Sequence, residues 1–281
     1  MSILIILYMC GVFPLLLGVM GKHLDKKVKM PAYVIGHAIQ FAVLFFCGIV
    51  IKFIGVSVFS FARGYFMATI AVGIFCVIMT CRKWKKMLVW KKPSVLSFSA
   101  FVGELGMLGG SILFLMPHWL DMTEETLYNL QNTGVLNDMS CLLYGIVQQL
   151  SEMNPVTMVR VWLTVCFMPL FYATYHYFAK GRIWFLVFTY AIFGFFIFVP
   201  GYIGLEVFLN VWNPVTLVVS VLMPLFYVCL IEKSYIELII VGAAMQGLVS
   251  QAWLYMGILI CVALIVNIGY QIHDKKEDKK A

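Results

Sequence analysis

The strongly basic stretches of this 281-residue chain fall at alternate ends of its apolar runs. Lys22 to Lys29, Arg82 to Lys92, Lys180 with Arg182, Lys233, and the tail from Lys275 to Lys280 share one side once each run is threaded through a bilayer. The stretch from Pro117 to Met153 carries Asp121, Glu124, Glu125, Asp138 and Glu152 and no Lys or Arg. By the positive-inside rule the basic loops belong to the cytosol and the acidic loop to the outer side. The fold this predicts is all-α and polytopic.

Composition points to the same solvent. The chain is 63% hydrophobic and 12% charged, with mean hydropathy +0.96. A water-soluble domain of this length could not hide that much apolar surface. The net charge of +7 is divided among short loops. That distribution suits topology and anionic lipid headgroups and argues against a nucleic-acid surface. The eight cysteines form no CxxC pair and lie almost all in apolar runs, as small packing residues would. The five histidines are scattered, so no metal site is expected.

At about 20 residues per helical span, the sequence predicts nine spans in one membrane domain, 1–281. Four N-terminal spans fill 1–116, an acidic outer loop with an amphipathic helix fills 117–153, five spans fill 154–272, and a basic cytoplasmic tail fills 273–281. The first span lacks a basic leader and a cleavage site, so it is expected to be retained with its N-terminus outside. Within the loop, Leu142, Leu143, Ile146, Val147 and Leu150 share a helical face, predicting a helix over 138–153 that lies flat on the outer leaflet. Gln148, Gln149 and Ser151 would then face water. The last apolar stretch is too long for one helix and is expected to break near Ser250–Gln251, leaving 234–250 as a short eighth span.

Two segments repeat. Asn154-Pro-Val-Thr and Asn213-Pro-Val-Thr each precede a Met-Pro-Leu-Phe-Tyr stretch, at Met168 to Tyr172 and Met223 to Tyr227. Asn suits a helix N-cap and Pro the first helical position. Pro169 and Pro224 fall inside their helices and should bend them. Such a pair is either two similar helix starts or a duplicated unit shaping a cavity.

Ionisable groups at membrane depth are candidates for chemistry. Glu104 sits mid-span among small residues, as a protonated packing group or a relay. Arg160 and Arg63 lie near the outer ends of their spans. They either snorkel outward or meet a phosphate. His37 and Gln40 are expected to pack and hydrogen-bond. In the outer loop, Thr123 can cap a short helix whose first turn holds Glu124 and Glu125. Alternatively, an acid there takes a proton from an acceptor hydroxyl.

The order of these features resembles an uncharacterised family of bacterial multispanning proteins with a layout similar to GT-C glycosyltransferases. An acidic pair followed by Tyr128 heads the first large outer loop. A flat helix then leads into a proline-started span, and a short loop ends in Trp212-Asn-Pro. The resemblance covers roughly 118–255. It implies sugar transfer from a polyprenyl-phosphate donor at the outer face of a bacterial plasma membrane. Glu124 or Glu125 would act as base, with Asp121 a further candidate, and Tyr128, Trp212, Arg63, Arg160 and Glu104 would contact substrate. Asn213 and Pro214 stand where that family tends to carry a Gly-Lys pair. A small-molecule or ion carrier, and a non-catalytic subunit bound to a membrane-protein partner, are the alternatives.

Overall fold

A computed structural model describes residues 2–25, 28–55, 58–87, 140–154, 157–180, 182, 185 and 211–277. Every regular element among them is helical. Helix α1 is Ser2–Leu24, α2 is Ala32–Ile54, α3 is Val58–Met87 and α4 is Ser140–Ser151. Helix α5 joins a π segment, Met158–Leu163, to Thr164–Ala179. Helix α6 is Pro214–Glu232, α7 is Tyr235–Leu248 and α8 is Ala252–Glu277. Four stretches, Ser2–Leu24, Ala32–Ile54, Ser60–Cys81 and Pro214–Glu232, are long and apolar enough to cross a bilayer. Exposed Met67, Ile74, Phe75 and Ile78 on α3, and Trp253, Ile258 and Ile265 on α8, leave apolar faces suited to lipid. The chain is an all-helical, multi-spanning membrane protein. The fourth and sixth spans expected from sequence lie outside the described residues.

Helix α2 is the centre of the bundle, packed along α1 on one side and α7 on another. The α1–α2 approach depends on glycine. A Cβ on Gly18 would fall 1.6 Å from Ala32 O, and one on Gly36 would fall 1.7 Å from Pro14 O.

Three helices share one device. A π segment precedes a proline in α1 (Tyr8–Val12, then Pro14), in α5 (Met158–Leu163, then Pro169) and in α6 (Val218–Leu222, then Pro224). Proline has no N–H and crowds the carbonyl four residues back. A π turn widens the helix locally and hands the freed carbonyls to other partners. The Ser220 carbonyl, four residues before Pro224, accepts Tyr175 O–H at 3.2 Å. The Cys166 carbonyl, just before Pro169, accepts Tyr33 O–H at 2.8 Å. The repeat seen in sequence extends to the ends of both helices, where Lys180 (φ 45°) and Lys233 (φ 56°) take left-handed conformations. Asn213 Oδ1 accepts Val215 N–H at 2.9 Å, as its capping role predicts.

The C-terminal stretch breaks at 249–251, where the sequence reading placed it. Helix α7 has 14 residues, about 21 Å of length, short of a hydrocarbon core of about 30 Å. It starts beside Lys29 and Met30 and ends with Gly247 against Phe41 and Phe45, partway along α2. Helix α8 then turns back. Gly242 lies against both Phe226 and Met256, and α8 follows the Met223–Glu232 half of α6. The two helices form a hairpin whose arms share one end of the bundle. Gln246 Nε2 ties its turn by donating to Ser250 O at 2.7 Å.

Helix α4 corrects one expectation. Its apolar face, Leu142, Leu143, Ile146 and Val147, is buried in the protein core, packed against α1 and α3 rather than laid on lipid. Ser151, expected in water, is 2% exposed, and its Oγ accepts the Met153 N–H at 3.4 Å. A helix of 12 residues buries its apolar stripe against protein as readily as against lipid, and periodicity alone does not distinguish the two.

Candidate functional site

Charge partners fix one end of the bundle. Glu232, at the end of α6, accepts Lys180 Nζ from the end of α5 at 3.0 Å and Lys29 Nζ from the α1–α2 loop at 2.8 Å. Three segments placed on the same side from sequence are thus brought together. Hydrogen bonding to Glu232 and its negative charge raise the pKa of Lys29. Both lysine side chains are largely exposed, so the bridges are screened by solvent. Glu232→Gln should lower the thermal unfolding midpoint only slightly, with the difference vanishing in 1 M salt. A midpoint scan of both proteins at two salt concentrations checks this.

Glu237 contributes more at the same end. It is 3% exposed, and its Oε1 accepts the backbone N–H of Lys29 at 2.9 Å and of Met30 at 3.2 Å. These bonds join the start of α7 to the entrance of α2. With Asp25, Lys29, Glu232, Lys233 and Ser234, Glu237 lines a cavity of about 530 Å³. Sequence reasoning passed over Glu237. The signal was present, because an acid in an apolar run earns the same scrutiny that Glu104 received.

The opposite end holds three sequence-derived site residues. Since α2, α5 and α6 each have one end at the ionic cluster, their other ends, and the start of α3, lie across the bundle. Arg63 is exposed near the start of α3, and Arg160 lies in the π segment opening α5. Trp212 immediately precedes the capping Asn213, and its ring is 4% exposed. Its carbonyl accepts the Tyr144 hydroxyl of α4, which fastens the turn before α6 to the helix contributed by the acidic loop. The Trp212 indole nitrogen is buried without a hydrogen-bond acceptor among the described residues. Asp121, Glu124, Glu125, Tyr128 and Glu104 lie outside the described residues.

Between the two ends lies a polar core. Tyr33, His37 and Gln40 share one face of α2, at spacings of four and three residues. They meet the π segment of α1. Phe13 N–H reaches back five residues to Tyr8 O, and Pro14 offers no N–H. The Met9 and Cys10 carbonyls thereby lose their usual helical donors. Gln40 Nε2 donates to Met9 O at 2.9 Å, and His37 Nε2 lies 3.0 Å from Cys10 O. Helix α3 joins through Tyr8, whose hydroxyl donates to Thr69 O at 2.8 Å. His37 and Gln40 therefore do the packing and hydrogen-bonding work expected of them, and both are 1% exposed. Tyr65, buried in the same core, and Tyr33, partly buried against it, carried no distinguishing sequence signal. Comparison with protein-family models, with curated proteins and with solved structures finds no match, so the chain's own residues carry the functional argument.

Proposed function

We propose that this membrane protein acts on a polyprenyl-phosphate-linked sugar at the end of the bundle opposite its ionic cluster. In this reading its N-terminus is outside and its C-terminus cytoplasmic, in a bacterial plasma membrane, and the α7–α8 hairpin takes the place of the eighth and ninth of the nine spans expected from sequence. The supporting observation is co-location. Helix α4 from the acidic loop, the Trp212 turn, Arg63 and Arg160 all belong to one end, and α4 is fastened to that turn through Tyr144. Such an end suits a GT-C-like layout, in which loop acids work over the membrane surface. Glu124 or Glu125 takes the proton of an acceptor hydroxyl as its oxygen bonds the anomeric carbon. The bond from that carbon to the phosphate oxygen breaks, and the guanidinium groups of Arg63 and Arg160 meet the charge left on polyprenyl phosphate. Asp121 is a further acid, and Tyr128, Trp212 and Glu104 contribute to holding substrate.

Replacing Glu124 and Glu125 together by Gln is expected to reduce transfer from a lipid-linked sugar by about 100-fold or more, with expression unchanged. Mass spectrometry of co-purifying lipids should find polyprenyl phosphates. Undiminished transfer in the double variant removes these acids from the mechanism.

A second reading, a carrier for an ion or small molecule, is favoured by a different observation. Three proline-interrupted helices present freed carbonyls to buried or partly buried polar side chains. Uptake by proteoliposomes, with no lipid-linked sugar bound, would favour it over transfer.

A further inference from the structure

His37 sits at the centre of the polar core between α1 and α2. Its imidazole lies between two backbone carbonyls, with Nδ1 3.0 Å from Tyr33 O and Nε2 3.0 Å from Cys10 O. A neutral imidazole carries one N–H and can serve only one of them. Tyr33 O–H cannot make up the shortfall. It lies 2.8 Å from Cys166 O and 3.4 Å from Cys10 O, and has one proton to give. Each neutral arrangement therefore leaves a carbonyl facing a bare nitrogen lone pair.

The geometry points to a proton-binding site centred on His37, in which an imidazolium bonds Cys10 O and Tyr33 O together. Nothing in the sugar-transfer reading requires such a site. Three rings surround the imidazole, with centroids 4.5 Å (Tyr33), 5.9 Å (Phe41) and 5.9 Å (Phe167) away. The titratable groups around the core are Cys10 from α1, Tyr33 from α2, Tyr65 from α3 and Cys166 from α5, all neutral at ordinary pH. No charged side chain acts on His37 among the described residues. Proton uptake adds the second hydrogen bond and works against desolvation. It tightens the π segment of α1 onto α2, so the proline interruption of α1 creates the demand that the proton fills.

The test uses the full chain in lipid nanodiscs with ¹⁵N-labelled histidine. The chain has five histidines, and His37 is assigned by its loss in His37→Gln. A second variant, with His23, His118, His176 and His273 replaced by Gln, isolates the His37 signal should His37→Gln not fold. Between pH 8 and 4, His37 is expected to pass from one protonated ring nitrogen to two. Pro14→Ala restores a backbone N–H to Cys10 O. It should weaken proton binding at least tenfold, moving the midpoint down by a pH unit or more. A bare ring nitrogen persisting to pH 4, or a midpoint unmoved by Pro14→Ala, overturns the proposal.

Discussion

Gly36→Ala should leave little correctly folded protein. The added Cβ would lie 1.7 Å from Pro14 O, 2.6 Å from Pro14 C and 2.9 Å from Gly18 N, all backbone atoms. A side chain struck by a new methyl can change rotamer, but a helix backbone yields only by moving the whole helix. Separating α1 from α2 also pulls Met9 and Cys10 from Gln40 and His37, the donors that replaced those lost at Pro14. Overpacking against side chains costs about 1–3 kcal/mol, and a clash confined to backbone should exceed that range. Size-exclusion chromatography in detergent should show loss of the monodisperse peak. Gly64→Ala is the control, because its Cβ meets nothing within 4 Å. It should stay within about 0.5 kcal/mol of the parent. A Gly36→Ala protein as stable as that control would mean that α1 and α2 do not touch as described.

Glu237→Ala has the next largest effect. It strips the acceptor from two backbone N–H groups, those of Lys29 and Met30, and Met30 is fully buried. An orphaned buried donor costs about 1–3 kcal/mol, so a loss of about 2–4 kcal/mol is expected. Glu237→Gln keeps a carbonyl oxygen in place and should recover part of it. Thermal unfolding followed by cysteine-reactive dye separates the three proteins. Equal midpoints for the Gln and Ala variants would mean that charge, rather than hydrogen bonding, holds this joint.

What could be read from the sequence follows from which physics is local. The helix start at Asn213-Pro, and the break near Ser250–Gln251, appear as expected because capping and apolar length are properties of neighbouring residues. The grouping of Lys29, Lys180 and Glu232 follows from charge placement along the chain. The π segments were not legible. Proline announces a missing donor, but whether a helix answers with a kink or a wider turn depends on partners such as His37 and Gln40 on another helix. The fate of α4 was ambiguous for a similar reason, since lipid and protein demand the same stripe of leucines. Among the site residues, Arg63, Arg160 and Trp212 lie at the end of the bundle opposite the Lys29–Lys180–Glu232 cluster. Glu237 and Tyr33 matter through contacts with helices distant in sequence.

The α7–α8 hairpin bears on how the chain is made. Its α7 arm starts at the rim held by Lys29, Glu232 and Glu237, and its α8 arm turns back along α6 toward that rim, so the hairpin is reached from one side of the bundle. Its Ser250–Gln251 tip can slide into the groove between α2 and α6 from that one side, without any part of 235–251 having to cross to the other.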